Sequence, residues 1–193
     1  MEDRMQNTNG EDEREWIRRV LAGNADDYRR LVDAYKNRVY GLLRGMGANH
    51  QDAQDLTQET FVRAYRKLAS HDETKRFAAW LYRIAHRLLI DHRRSAPPID
   101  WTAEPPQLPA TDGNPEEALL RGEHRSELRD LIGRLPENYR AVVLLRYTNE
   151  LSYEEIGEVL GVPVGKVQND LHRAKRRLKQ WMTAKEETCH DML

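Results

Sequence analysis

The stretch from Leu151 to Leu178 reads LSYEEIGEVLGVPVGKVQNDLHRAKRRL. Ser152 and Glu155 form the S-x-x-E box that begins a helix, each side chain satisfying a backbone N–H that the first turn leaves open. Ile156, Val159 and Leu160 supply that helix's apolar side. Gly161 suits the left-handed position that ends a helix and permits a sharp turn. Pro163 suits the start of a second helix, along which Val164, Val167, Leu171, Ala174, Leu178 and Trp181 recur at steps of three and four. Lys166, Asn169, Asp170, Arg173 and Arg177 fall on the opposite side of the wheel. A short helix, a Gly turn and a second helix with polar residues near its start is a helix-turn-helix. Its polar residues are placed to reach base edges and its basic run to meet phosphates. The competing reading is a plain helical hairpin with a solvated charged face.

Working outward, apolar spacing stays helical. Trp16, Ile17, Val20 and Leu21 make a short stripe that Gly23 ends. Tyr28, Leu31, Tyr35, Val39, Leu42 and Met46 predict a long helix, with Asn24 as its cap and Gly47 as its stop. A third helix is capped by Asn49 and carries Leu56, Phe61, Ala64, Tyr65 and Leu68; a fourth buries Phe77, Leu81, Ile84 and Leu88. No segment alternates as a half-buried strand does.

From Ser95 to Leu120 there is no Lys or Arg, while Pro97, Pro98, Pro105, Pro106, Pro109 and Pro115 crowd the stretch. Proline lacks the amide hydrogen and pushes its predecessor away from helix. The segment reads as an extended acidic linker. Helix resumes at Asn114-Pro-Glu-Glu, where a cap, a Pro and two carboxylates stand in the order a helix start favours. Leu120, His124, Leu128, Leu131 and Leu135 continue it. Pro136 then breaks it and opens the next helix, which carries Tyr139, Val142, Val143 and Leu145. The expected fold is all-α: two small helical domains, 12–95 and 115–184, joined by a linker at 96–114.

Composition narrows the function. The formal net charge is −1, so no global basic field draws the chain to nucleic acid, and any contact must be local or shared with a partner. The single cysteine, Cys189, rules out an intrachain disulfide. The acidic opening, MEDRMQNTNGEDERE, is unlike a secretion signal, and no apolar run is long enough for a bilayer. A cytoplasmic protein without membrane insertion is expected. His86 and His92 do not share a helix face as metal ligands would, and Cys189-His190 is too small a set for zinc. No phosphate-cradling loop or nucleophile elbow is present. Neither a cofactor nor an enzymatic activity is expected.

DAQDLTQETFVRAYRKL (Asp52 to Leu68) followed by FAAWLYRIAHRLLIDHRR (Phe77 to Arg94) closely resembles the second conserved region of bacterial RNA polymerase sigma factors, most of all the small extracytoplasmic-function type. LPENYRAVVLLRYTNELSYEEIGEVLGVPVGKVQNDLHRAKRRL (Leu135 to Leu178) resembles their fourth region. The resemblance implies that the chain directs core RNA polymerase to promoters of a stress or envelope-response regulon. It implies that Asp55, Gln58 and Glu59 face the clamp helices of the largest polymerase subunit. The second-largest subunit's flap and an anti-sigma factor are further implied partners.

It also implies that the loop SHDETKR, before the fourth helix, receives a base flipped from the non-template strand of the −10 element. Around it Trp80, Arg83, Arg87, Arg93 and Arg94 would meet DNA, Trp80 serving either as a stacking platform or as core. Arg87 departs from the family, which commonly has Asn there. Lys166, Gln168, Asn169 and Arg173 occupy positions that read the −35 element in relatives. Asp170 departs too, since relatives often carry a basic residue. It either accepts from a cytosine amino group or pairs with Lys166 or Arg173 one turn away, and the pairing is the favoured reading. The linker would thread toward the polymerase active-site cleft. Two other functions compete. A free-standing helix-turn-helix regulator would leave the Asp52–Arg94 block without a use. A magnesium-dependent helical enzyme would use Asp52 and Asp55, but a diphosphate site wants more carboxylates.

Overall fold

The computed structural model describes residues 3–95, 128 and 130–190, with side chains from 12–95, 128 and 130–183. Helices α1 (Asp3–Leu21), α2 (Asp26–Gly45), α3 (His50–Lys67) and α4 (Phe77–Ser95) form the N-terminal half, and a 3-10 turn, Leu68–Ser70, follows α3. Residues 130–133 are helical and lead to α5 (Glu137–Val143), a π-turn (Leu144–Thr148), α6 (Tyr153–Leu160) and α7 (Val164–His190). There is no strand among the described residues. The linker at 96–114 and the helix start at Asn114 lie outside them.

The apolar stripes read from sequence do become the core. Ile17, Leu31, Val39, Leu42, Leu43, Leu81 and Leu89 are all but fully buried in the N-terminal half; Leu145, Leu151, Ile156 and Val167 are so in the C-terminal half. Each such side chain contributes about 1.5–3 kcal/mol by leaving water. Leu21, Tyr65 and Leu128 differ from expectation: they are 47%, 47% and 45% exposed, and Tyr65 touches Tyr28 edge-on, with ring centroids 4.9 Å apart.

Helix ends follow local chemistry, with one revision. Asn49 Oδ1 accepts from the Asp52 amide at 2.8 Å and starts α3 as expected. Asn24 does not cap α2. Its backbone amide closes α1 on the Arg19 carbonyl, beside the left-handed Gly23, and its side-chain amide donates to Asp27 Oδ2. Asn24 thus belongs to the end of α1, and α2 begins after Ala25 without a side-chain cap. At the other end of α2, Gly47 is left-handed; its own amide closes back on the Arg44 carbonyl and that of Ala48 on the Leu43 carbonyl.

The two halves pack against each other. α4 lies along α6, and α2 meets the π-turn. Gly45 of α2 lies under Leu144, so closely that a Cβ there would fall 2.7 Å from a Leu144 methyl. Arg93 bonds both to Glu137 of α5 and to the Met46 carbonyl.

Candidate nucleic-acid and polymerase interface

The helix-turn-helix is built as its sequence requires. Ser152 Oγ accepts from the Glu155 amide at 3.2 Å, and Glu155 Oε2 accepts from the Ser152 amide at 2.7 Å, completing the capping box. Gly161 ends α6 in the left-handed region at φ 70°. A second glycine is equally necessary and carries no turn signal. A Cβ on Gly157 would sit 2.8 Å from the Val162 carbonyl oxygen, so only Gly lets the turn fold back this tightly.

On α7, Lys166, Gln168, Asn169 and Arg173 are all exposed. At 3.6 residues per turn, Lys166, Asn169 and Arg173 run along one flank of the exposed arc, while Gln168 lies on the other. A side-chain hydrogen bond to Tyr139 of α5 raises the pKa of Arg173. Asp170 is corrected from the exposed side to the buried one. It is only 6% exposed, and its Oδ2 accepts from Lys166 Nζ at 2.9 Å. The orienting pair is therefore present. A buried carboxylate held by Lys166 is poorly placed to accept from a base.

On α3, Asp55 and Gln58 are exposed and Glu59 partly so, and their spacing gives them one shared side. Gln51 Nε2 donates to Asp55 at 3.3 Å, and Glu59 pairs with Arg63 at 2.6 Å. These contacts are solvent-screened and within one helix, so a basic partner can displace them at small cost.

On α4, Trp80, Arg83, Arg87 and Arg94 fall on a common stripe, whereas Arg93 turns toward α5. Trp80 is half-buried. Its ring lies 5.2 Å from that of His71 and 5.6 Å from that of Phe77. Trp80 is thus part of an aromatic cluster under the loop before α4. Burial lowers the pKa of His71, which favours its neutral ring in that cluster. Within the loop, Asp72 Oδ1 accepts from the Thr74 amide and hydroxyl, which shapes the turn.

Two loop residues absent from the sequence-based site set emerge here. Lys75 Nζ meets Glu158 Oε1 of α6 at 2.6 Å. Arg76 reaches Glu155 at 3.4 Å and the Glu150 carbonyl at 3.1 Å. The sequence held a signal for them. Two cations directly before a helix N-terminus oppose the helix dipole and call for an anionic partner. Behind them a cleft separates α4 from the α6–α7 turn. It is lined by His86, Arg87, Asp91 and Arg94 on one side and by Glu158 and Gly161 on the other. Burial lowers the pKa of His86, which bonds to the backbone of Val159 across the same contact. No group of three or more metal-ligating side chains occurs among the described residues. None of their helices is long and apolar enough to cross a membrane.

Comparison with known proteins covers both halves. The family described as Sigma-70 region 2 matches residues 31–97, and Sigma-70, region 4 matches residues 125–178. The chain is 37% identical over 174 residues to the ECF RNA polymerase sigma factor SigW of Bacillus subtilis, covering 85% of this chain and 93% of that one. In fold it is similar to CnrH in the structure of its complex with the cytosolic domain of CnrY, with TM-score 0.66 and 24% identity over 90% of this chain and 98% of that one. It is likewise similar to the sigma factor RpoE of Bartonella quintana, solved with the anti-sigma factor NepR, with TM-score 0.65 and 19% identity over 81% and 97% of the two chains.

Proposed function

The chain belongs to the extracytoplasmic-function RNA polymerase sigma factors, and from that premise we propose how its own residues divide the work. As a sigma factor it directs core RNA polymerase to promoters and starts transcription there. Asp55, Gln58 and Glu59 of α3 engage the clamp helices of the largest subunit. Trp80, Arg83, Arg87, Arg93 and Arg94, with the loop His71–Arg76, hold the melted −10 element. Lys166, Gln168, Asn169 and Arg173 of α7 read the −35 element, with Asp170 fixing Lys166. The C-terminal domain also meets the flap of the second-largest subunit, and the acidic linker enters the active-site cleft.

One observation carries this division. The recognition face of α7 is exposed and polar, as duplex reading requires, whereas the α4 platform is aromatic, as a flipped base requires. The protein acts in the cytoplasm and contributes no catalytic centre of its own, the polymerase supplying the chemistry. An anti-sigma factor restrains it, a reading supported by its likeness in fold to a sigma factor solved with one. The regulon is of the stress or envelope-response kind. The free-standing regulator is not favoured, because the family match spans both halves.

Transcription of a genomic library by purified core polymerase, with and without the protein, tests the proposal. Promoter-specific transcripts that need both core and this chain are expected. Specific binding to promoter DNA without polymerase, together with no added transcripts, would overturn it.

A further inference from the structure

We propose that Glu155 and Glu158 of α6, with Glu137 of α5, are an intramolecular decoy for promoter phosphate. They occupy Lys75, Arg76 and Arg93 and keep the free chain closed against DNA. The inference rests on the assignment of the loop before α4 and of α4 itself to the −10 element.

Three cations of the N-terminal half, Lys75, Arg76 and Arg93, reach carboxylates of the C-terminal half. Lys75 meets Glu158, Arg76 meets Glu155 and the Glu150 carbonyl, and Arg93 meets Glu137 and the Met46 carbonyl. The same contact places α6 beside the Arg87 and Arg94 side of α4, across the cleft. Carboxylates and phosphates recruit these side chains by the same charge-assisted hydrogen bonds. The two ligands are therefore mutually exclusive at Lys75 and Arg76.

Distance makes the closed arrangement incompatible with promoter reading. At 3.4 Å per step, −10 and −35 elements lie about 85 Å apart along straight B-DNA. In the closed chain, the loop before α4 and the first helix of the helix-turn-helix touch at 2.6 Å. The halves must part before both elements are read. The latch suits that demand, because Lys75, Arg76 and Glu158 remain about half exposed, so salt and competing anions weaken their pairs.

The test uses the full chain without polymerase and a fluorescent, randomised single-stranded 15-nucleotide DNA pool at low salt. Glu137→Gln, Glu155→Gln and Glu158→Gln are combined. Gln preserves the capping box at position 155. Energy transfer between dyes on α3 and α7, in a Cys189→Ser background, reports the separation of the halves. The decoy variant is expected to lose energy transfer and to bind the pool about five- to tenfold more tightly than wild type. A control carrying Asp12→Asn, Asp26→Asn and Asp33→Asn has the same net charge and is expected to gain less than twofold. Lys75→Gln with Arg76→Gln is expected to open the chain yet bind the pool more weakly than the decoy variant. Equal gains by control and decoy variant, or a decoy variant that stays closed and binds as wild type does, would overturn the inference. Failure here leaves core-dependent transcription untouched, so it is distinguishable from failure of the sigma-factor residue assignments.

Discussion

The N-terminal and C-terminal halves are both helical, yet they prepare for nucleic acid in opposite ways. α7 presents Lys166, Asn169 and Arg173 along an exposed flank, with Asp170 buried beside them. α4 and the loop before it hold an aromatic cluster and cations that already have anionic partners on the other half. A rigid, exposed edge suits an intact major groove, whose pattern exists before the protein arrives. A covered platform suits a target that exists only once the duplex is open.

The largest expected effect separates the halves at the polymerase. Replacing Asp55, Gln58 and Glu59 together with Ala should weaken core binding about 100-fold, since a well-paired charged contact contributes about 1.5–3 kcal/mol. Circular dichroism should be unchanged and the melting of the helix-turn-helix unaffected. Titration of labelled core measures it, and wild-type affinity would remove α3 from the interface.

Next in size is Gly157→Ala. The added methyl meets the Val162 carbonyl oxygen at 2.8 Å, backbone that cannot step aside. Destabilisation of about 1–3 kcal/mol is expected, seen as earlier loss of amide protection in α6 and α7 than in α3. Uniform loss across both halves would mean that they unfold as one unit.

Arg173→Ala should cost about 1–3 kcal/mol of promoter discrimination if the side chain reads a base. Tyr139→Phe gives the finer result, because it frees Arg173 from its hydroxyl partner without removing the charge. A −35 preference that blurs in Tyr139→Phe makes α5 part of the reading head.

The smallest effect is at Asp170. Asp170→Ala frees Lys166, a loss of about 0.3–0.5 kcal/mol for a helix pair of this spacing. A randomised −35 selection should show blurring at the position Lys166 reads. A preference lost at a single cytosine instead would mean that Asp170 itself touches the base.

What was legible in the sequence tracks how local the cause is. Ser152, Glu155, Gly161 and Asn49 act on backbone within a few residues, and each stands where the pattern placed it. Asn24 misled because the same side chain suits a helix start and the close of the helix before it, and left-handed Gly23 decided for the latter. Asp170 was misplaced because helical periodicity assigns a side chain an angle, whereas burial at the edge of the arc depends on what packs there. Gly157 gave no sign, since its neighbour is the carbonyl across the turn. The residues of the proposed site could be placed on their helices from spacing alone. Their partners on the other half, Glu137, Glu150, Glu155 and Glu158, follow from three-dimensional packing that no spacing encodes.

The seat of Leu144 over Gly45 gives the closed chain a thermal character distinct from its ionic one. Parting the halves wets that apolar contact, so opening carries a positive heat-capacity change. The grip of such a contact slackens on cooling, while raised salt leaves it intact. A chain held by both kinds of contact is released along two independent axes, so a temperature downshift should lower the ionic strength at which the halves come apart.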